Sequence, residues 1–331
     1  MTVTNTRTAE TVTVDANHAG EFLASMSAQG GDTLSIVVTN REGNSGPPGT
    51  KQVGNVIVSL TDTMQAVTVA GGELTARGTL LSLPDGTAGV SIDGTAGLVE
   101  GNQFVVRLPV DSSTTTLTLT VRDFSGVLSA VAFPMTVQTV PLPPAIVLRP
   151  TRPAGLIPLT TSFAYSSPAL VAHVALDADG DGTTDADETT LDTFTFTYTQ
   201  PGLYLPRLTV IDSDGNVSTA VGIVHAADAA VTDARLQPVW RGVKDALRTG
   251  DTSAAARFIH SDTRAQYATV WSVVPAPALA NIDGIMTQVQ LLEVTPATAQ
   301  YDMRRDKNGQ TFSFPVWFQL DQDGLWRLRT F

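Results

Sequence analysis

The chain has 331 residues, 42% of them hydrophobic, so it can bury several separate cores and is too apolar for a disordered polypeptide. It carries 32 acidic against 20 basic residues, a net charge of −12, which argues against a nucleic-acid partner. The absence of cysteine excludes disulfides, thiolate metal sites and cysteine nucleophiles, and no apolar run approaches the eighteen residues of a membrane span.

The first module, residues 1–49, has the alternating polar and apolar pattern of β-strands. Strand patterns stand at Thr11–Asp15 and Asp32–Thr39. Phe22 and the stretch Glu42-Gly-Asn-Ser45 resemble the second half of bacterial immunoglobulin-like repeats, without the front strands of a complete repeat. We therefore predict a partial immunoglobulin-like module here.

The opening segment, residues 2–14, has strand propensity but lacks the front half of its own sandwich. Because an unpaired strand edge tends to find a partner, we predict that it pairs with a neighbouring subunit or with upstream strands. The first residues also lack the basic and apolar regions of a signal peptide. We interpret the chain as a mature or excised part of a larger exported protein, secreted or on the cell surface.

The second module, residues 50–139, consists of further strand patterns, such as Asn102–Val110 and Thr115–Arg122. The segment Gly78–Gly94 resembles the strand–turn–strand element of glucodextranase domain-B-like modules, which implies a second immunoglobulin-like sandwich. The proline-rich stretch Val140–Ala145 predicts a stiff linker that holds the adjacent modules apart.

A dense acidic stretch follows in the third module, residues 140–229. Its spacing matches a calcium loop, with acids at positions 1, 3, 5, 9 and 12, the turn glycine Gly182 at position 6, and a backbone carbonyl at position 7. The flanks alternate as strands do, which places the loop between two strands and not two helices. A solvated acidic turn remains the alternative. The predicted Ca²⁺ ligands are Asp177, Asp179, Asp181, Thr183, Asp185 and Glu188.

Around this loop the chain resembles the polycystic-kidney-disease (PKD) type immunoglobulin-like domain. The resemblance rests on Tyr198-Thr-Gln-Pro-Gly-Leu-Tyr204, the run Arg207–Ile211 and the turn Asp212–Asn216. Leu176–Gly182 keeps the family's Gly-Asp-Gly and loses its aromatic residues. The resemblance implies a spacer, adhesion or carbohydrate-related module. A second ion at Asp212 and Asp214 is less favoured than a plain hairpin turn.

From residue 230 the hydrophobic period becomes helical. Apolar residues from Leu236 to Leu247 share one helix face, with Pro238 near the predicted start and Gly250 at the stop, and Asp251 and Asp262 are expected to cap two further helices. Four strands follow, predicted at Thr287–Val294, Ala297–Arg304, Gln310–Leu320 and Leu325–Phe331.

Helices followed by an antiparallel sheet, with the ending Asp323–Phe331, resemble the nuclear-transport-factor-two-like (cystatin-like) α+β cone over residues 230–331. Such cones often hold a pocket between helices and sheet. Aromatic residues at these spacings are more often core than pocket, and both possibilities stay open here. The residues concerned are Tyr267, Trp271, Tyr301, Trp317 and Trp326.

Enzymes of the cone family place a His–Asp pair in the pocket. The local candidates, His260 and Asp262, fall in a turn between helices, where we interpret them as a helix cap and a surface residue. His18, His173 and His225 stand apart from any serine or aspartate constellation in the sequence, and no catalytic motif is present. We predict that the chain is not an enzyme.

The expected fold is mostly β and multidomain, with tandem immunoglobulin-like β-sandwiches followed by a C-terminal α+β cone. The predicted function is a non-catalytic extracellular structural or adhesive segment, a calcium-stabilised part of a larger surface protein or a fibre subunit. The alternative is a ligand- or glycan-binding accessory module that uses the cone pocket. Expected partners are copies of the chain, other surface proteins or a glycan.

Overall fold

In the computed structural model the chain forms two compact units, residues 1–59 with 80–84, and residues 60–79 with 85–331. His18, Phe22, Glu42 and the predicted linker Val140–Ala145 lie outside the described residues. The described residues are 1–16, 24, 26, 28, 32–40, 43–52, 58–60, 66–69, 73–80, 88–134, 136–139 and 146–331.

The first unit contains a sheet in the order β2-β1-β3-β4. Its strands are β1 (Thr2–Asn5), β2 (Thr11–Thr13), β3 (Thr33–Val37) and β4 (Gly49–Gln52). β1 lies in the interior of the sheet and pairs antiparallel with both β2 and β3. The prediction that the opening segment is an unpaired edge is therefore wrong for β1, because the chain supplies both of its partner strands.

A buried polar cluster stabilises the end of β1. The side-chain amide of Asn5 donates to Asp32 at 2.7 Å, and the guanidinium of Arg7 pairs with the same carboxylate at 2.5 Å. Asn5 and Asp32 are both buried, so this hydrogen bond forms where water cannot replace it.

The second unit begins with a β-sandwich. Its strands are β5 (Val58–Leu60, at the border between the units), β6 (Ala66–Val69), β7 (Glu73–Leu80), β8 (Gly89–Ile92), β9 (Thr95–Ala96), β10 (Leu98–Glu100), β11 (Gln103–Pro109), β12 (Thr116–Asp123), β13 (Gly126–Pro134) and β14 (Thr136–Thr139). β10, β11 and β7 are neighbours in one sheet, and a second sheet has the order β13-β12-β8-β9. Burial alternates along β12 as expected of a strand with one face on a core, and β11 contacts β8 and β9 of the other sheet.

The central module is built from three sheets, ordered β15-β17-β20, β16-β24-β21 and β19-β18-β22-β23. Its strands are β15 (Val147–Pro150), β16 (Ala154–Leu156), β17 (Leu159–Ser166), β18 (Val171–Asp177), β19 (Ala186–Glu188), β20 (Thr195–Tyr198), β21 (Gly202–Tyr204), β22 (Arg207–Asp212), β23 (Val217–Val221) and β24 (Val224–Ala227). They enclose one hydrophobic core that includes Leu159, Leu176, Tyr198 and Leu208. β18, β20 and β22 confirm the predicted strands, whereas the short strand β19 was not anticipated.

The C-terminal module packs helices against a four-stranded antiparallel sheet whose strands follow chain order. This arrangement confirms the predicted succession of helices and sheet. The helices are α1 (Ala229–Arg248), α2 (Thr252–Ala256), α3 (Ser261–Val273) and α4 (Ala276–Ala280), followed by a 3₁₀ turn (Ile282–Gly284) and the strands β25 (Val289–Val294), β26 (Thr298–Lys307), β27 (Gln310–Leu320) and β28 (Trp326–Thr330).

Two helix ends differ from expectation. α1 begins at the cap Asp228, so Pro238 lies inside the helix and not near its start. The helix continues through the proline because its apolar face, including Leu236 and Trp240, is buried in the core, and this burial outweighs one lost backbone hydrogen bond. The cap of α3 is His260, whose Nδ1 accepts the N–H of Asp262 at 3.2 Å.

The second sandwich and the central module touch directly, contrary to the expectation that the linker holds them apart. Buried Glu100 at the end of β10 lies 2.8 Å from Nε2 of buried His225 in β24, and its other oxygen accepts the N–H of Asp228 at 3.1 Å. Arg235 of α1 donates to the Val99 carbonyl at 2.6 Å. The three modules of this unit therefore share one buried polar junction.

A second contact joins the sandwich to the C-terminal module. The backbones of Gly89 and Gly324 approach so closely that a Cβ on Gly89 would lie 2.2 Å from the Gly324 carbonyl oxygen. Arg122 pairs with Asp323 at 3.1 Å beside this contact. Among the helices that the structure describes, none is long and apolar enough to cross a membrane.

We expect Gly89→Ala to destabilise the second unit by roughly 1–3 kcal/mol, because the added methyl group meets backbone atoms that cannot rotate away. Denaturant unfolding measures the change. Gly49→Ala in the first unit is the control, since its Cβ would make an ordinary 3.9 Å contact with the Ile36 carbonyl. An equal loss in both variants would contradict the steric explanation.

Candidate functional site

The acidic loop lies in the hairpin between β18 and β19. Leu176 pairs with Ala186 in this hairpin, so the loop proper spans residues 177–185. Glu188 pairs with Val174, three residues back along β18 from Asp177, which separates the two acids by roughly 10 Å along the strand. The register thus removes Glu188 from the loop, although its spacing in the sequence fits the twelfth position.

Three of the predicted ligands converge. Carboxylate oxygens of Asp177, Asp179 and Asp185 all lie within 4.8 Å of one another. Asp181 and Glu188 are not in this group. The Asp181 carboxylate instead accepts the N–H of Thr183 at 2.7 Å, in an exposed part of the turn.

The loop backbone orients these carboxylates. Asp177 accepts the N–H groups of Gly180 and Gly182 at 2.7 and 2.9 Å, and Asp185 accepts the N–H of Ala178 at 2.7 Å. Gly180 has φ +79°, and a Cβ there would lie 2.9 Å from the Leu205 carbonyl oxygen. Only glycine suits this position, for both backbone conformation and space.

Tyr198 anchors the loop from the core. Its buried hydroxyl donates to the Ala178 carbonyl at 2.6 Å, between the two ligand positions Asp177 and Asp179. Burial first, and then the charge of Asp179, raise the pKa of Tyr198, so the phenol stays neutral and keeps its donor. The acidic spacing in the sequence gives no sign of this role, because the tyrosine lies outside the acidic motif.

The three converging carboxylates carry negative charge that no basic side chain of the described residues neutralises. Burial, and then the neighbouring charges of Asp181, Asp185 and Asp177, raise the pKa of Asp179. No basic side chain in the described part of the chain forms an ion pair with the three converging acids. An all-oxygen donor set of this kind fits a hard cation such as Ca²⁺.

The other proposed acidic pair forms a plain turn. Asp212 accepts the backbone N–H groups of Asp214 and Asn216, both at 2.9 Å, and the Asn216 side-chain amide. The hydrogen bonds from Asn216, with those from Asp214 and Gly215, lower the pKa of Asp212. The carboxylate is thus used within its own hairpin, as the interpretation without a second ion expects.

The C-terminal aromatic residues belong mostly to the core. Trp271, Tyr301 and Trp326 are buried there, and Tyr267 packs against the same core, stacked on Phe331 with ring centroids 5.5 Å apart. Trp317 is half-buried and is not a member of that core. Four of the five residues therefore fill the module's interior.

One buried hydroxyl of that core has an acidic neighbour but no well-formed hydrogen bond among the described residues. The group is the hydroxyl of Tyr301. Burial first, and then the charge of Asp233, raise the pKa of Tyr301 well above its ordinary value.

The side chains of His260 and Asp262 lie too far apart for a hydrogen bond. His260 is buried as the α3 cap, and its Nδ1 lies 3.6 Å from a carboxylate oxygen of Asp262, whose side chain is 60% exposed. Both interpretations, cap and surface residue, match this geometry. The expectation that the other histidines stand apart from serine and aspartate is wrong for His173, which lies 2.5 Å from Asp187. His225 contacts a glutamate, Glu100, and both histidines lie in strands.

A buried charge cluster closes the last hairpin. Arg327 donates to Asp321 at 2.8 Å and to both oxygens of Asp323 at 2.7 and 2.8 Å. Burial opposes ionisation of both acids. Hydrogen bonds outweigh this effect of burial, and the strongest come from Ser261 at Asp321 and from Arg327 at Asp323. The pKa of each carboxyl therefore lies below its ordinary value near 3.8.

Comparison with known proteins gives no family assignment, since no family model and no curated protein matches the chain. Among solved structures, fibronectin(III)-like modules of Clostridium thermocellum CbhA match at 11% identity and TM-score 0.19, over 53% of this chain and 96% of theirs. Dimeric latent PorU from Porphyromonas gingivalis matches at 13% identity and TM-score 0.27, over 60% of this chain and 24% of its own.

A third match is the Bacteroides ovatus protein SGBP-B of a mixed-linkage glucan utilization locus, in complex with a mixed-linkage heptasaccharide. It is 14% identical with a TM-score of 0.19, over 69% of this chain and 60% of its own. The chain thus spans only part of PorU and SGBP-B. At these TM-scores no shared overall fold is established, and no functional conclusion follows.

We expect Tyr198→Phe to destabilise the central module by about 1–2 kcal/mol, because the buried Ala178 carbonyl loses its donor while the ring still fills the core. Tyr204→Phe is the matched control, since its hydroxyl donates to the exposed Gln200 carbonyl. Thermal unfolding compares the two. Equal melting temperatures would contradict the anchoring role of Tyr198.

We expect Asp323→Asn to cost about 2 kcal/mol at pH 7 and distinctly less near pH 3. The folded carboxyl has a lowered pKa, so its contribution is present above the unfolded value and is lost as pH falls below about 4. Urea unfolding at both pH values measures this. Asp192→Asn, on an exposed turn, is the control, and a cost independent of pH would contradict the linkage.

Proposed function

We propose that the chain is a non-catalytic structural segment of an extracellular surface protein, with its central module stabilised by one Ca²⁺. The observation that carries the proposal is the convergence of Asp177, Asp179 and Asp185 in a loop held by Tyr198. Bringing three carboxylates together without a basic partner is unfavourable unless a cation neutralises them. The hairpin register and the tyrosine anchor keep them together.

Calcium fits this loop better than magnesium. Ca²⁺ takes six to eight oxygens in flexible geometry, and three carboxylates supply several of them, with water or turn oxygens near Asp181 and Thr183 completing the shell. Mg²⁺ requires strict octahedral geometry at shorter distances. An exposed loop of this kind binds weakly, with a dissociation constant of roughly 10⁻⁴–10⁻³ M as in other extracellular modules. Such a site would fill only where calcium is millimolar, so the proposal requires an extracellular location.

A structural role is supported by the way the modules of the second unit are joined. Glu100, His225 and Arg235 form a buried polar junction, so the second sandwich, the central module and the C-terminal module hold a defined mutual geometry. A segment built in this way suits the stalk of a larger surface protein or the subunit of a fibre, with copies of the chain, other surface proteins or a glycan as partners.

The alternative, a small-ligand or glycan site inside the C-terminal module, has less support. Trp271, Tyr301 and Trp326 would line such a pocket, but their rings are buried in the module's core. With the interior filled by these rings, the structural role is the better account of this module.

The calcium proposal is tested by melting the protein in millimolar CaCl₂ and in a chelator. We expect a higher melting temperature in calcium, equivalent to about 0.4–1.4 kcal/mol when free calcium is one to ten times the dissociation constant. Asp179→Asn removes a converging ligand and should abolish the rise. Asp214→Asn, on the exposed turn after β22, removes the same charge and should preserve it.

Magnesium at the same concentration should give a smaller rise. Identical melting of the wild-type protein in calcium and chelator would overturn the calcium proposal. Loss of the calcium effect in Asp214→Asn as well as in Asp179→Asn would show a general response to charge and no specific site.

A further inference from the structure

A cavity of about 460 Å³ lies between the turn after β12 and the C-terminal module. Its charged lining consists of Arg122 and Asp123 from the sandwich side, and Arg257, Arg264, Asp323 and Arg327 from the other. Four of the chain's 20 basic residues therefore meet at one cavity, in a protein of net charge −12.

The two carboxylates of the lining already accept hydrogen bonds from other groups of the protein. Asp123 accepts the N–H groups of Ser125 and Gly126 and the Ser125 hydroxyl within its own turn. Asp323 accepts hydrogen bonds from Arg122, from two nitrogens of Arg327 and from the N–H of Leu325. Neither acid is left to neutralise the remaining arginines.

Two arginines keep unused donors. Arg264 donates from Nε and Nη2 to the Ile259 carbonyl at 3.3 and 3.1 Å, so its hydrogen bonds go to a neutral acceptor. Its ion pair with Asp321 is long, at 3.9 Å, and that carboxylate is already bonded to Ser261 and Arg327. The side chain of exposed Arg257 forms no hydrogen bond or ion pair with the described residues.

Arg122 is only partly satisfied. Its Nη1 donates to Asp323 at 3.1 Å, but its buried Nε has no hydrogen-bond partner among the described residues. A buried N–H without an acceptor is costly, and a guanidinium presents several donors in one plane. The side chain is thus a cation at the cavity wall with hydrogen-bonding capacity to spare.

The charge balance of the cavity is positive. Four arginines and two aspartates give the lining a net charge of +2. Asp321 lies outside the lining and bonds Arg327, and when it is counted the arginines still outnumber the acids by one. Guanidinium groups match the planar geometry of carboxylate, sulfate and phosphate oxygens. The volume lies within the range of about 300–1,000 Å³ typical of small-molecule sites.

We propose that this cavity binds a small molecule through an oxyanion group, with Arg257 and Arg264 as its principal contacts and Arg122 as a third. The charged group is a carboxylate, sulfate or phosphate, and Phe124 and Leu325 offer apolar surface to the rest of the molecule. This site contains none of the proposed calcium ligands. A negative result at the cavity would therefore leave the proposed structural function unaffected.

The test is isothermal titration calorimetry of the whole chain at constant ionic strength. The probes are inorganic sulfate, inorganic phosphate and D-glucuronate, with glucose as the neutral counterpart of glucuronate. We expect saturable binding of at least one anion and none of glucose. Preference for glucuronate identifies a carboxylate on a sugar-sized body, and preference for sulfate or phosphate identifies the tetrahedral oxyanion.

The combined variant R257Q/R264Q should bind the preferred anion at least about tenfold more weakly, since it loses charge-assisted hydrogen bonds. R241Q removes the same charge from an exposed position of α1 outside the cavity and should bind as the wild type does. If the double variant does not fold, R257Q alone serves, because that side chain has no partner to lose. Absence of saturable binding at millimolar anion, or equal binding by R257Q and R241Q, would overturn the proposal.

Discussion

A buried carboxylate, Glu100, connects the three modules of the second unit. One of its oxygens contacts His225 of the central module, and the other accepts the N–H of Asp228, which itself caps α1. A buried charge is tolerated only when its hydrogen-bonding capacity is met, so the carboxylate requires both neighbours in place. This requirement links the second sandwich, the central module and the first helix of the C-terminal module.

Arg235 adds a second charge at the same junction. Burial lowers the pKa of its guanidinium, and the charge of Glu100 acts in the opposite sense. Its hydrogen bond to the Val99 carbonyl ties α1 to the strand that carries Glu100. The junction thus combines opposite charges with directional hydrogen bonds to backbone atoms.

The two candidate ligand sites share one physical principle, that charge is brought together and only part of it is neutralised internally. In the loop of the central module, backbone N–H groups and Tyr198 position three carboxylates. At the cavity, Asp323 of the last hairpin pairs with Arg327 and Arg122, which leaves Arg257 without an ion pair among the described residues. Opposite ions are expected at these two places, a hard cation at the first and an oxyanion at the second. The module architecture separates them.

Local patterns in the sequence determined most of the secondary structure. Alternation predicted β18, β20 and β22, because side-chain orientation along a strand repeats every two residues, and the ends predicted for β27, Gln310 and Leu320, agree with the structure. Asp177, Asp179 and Asp185 converge because a turn brings positions this close in sequence together whatever the rest of the fold. Their role as calcium ligands stays a prediction.

Tertiary structure decided what local spacing cannot encode. Hairpin register carried Glu188 away from the loop, and core burial carried α1 past Pro238. The partners of His225, Arg122 and Tyr198 are 125, 201 and 20 residues distant in sequence, so no motif could pair them. The physical reason is that these contacts arise only when strands of one module, or whole modules, pack against each other, and the partner is then chosen by geometry and not by sequence distance.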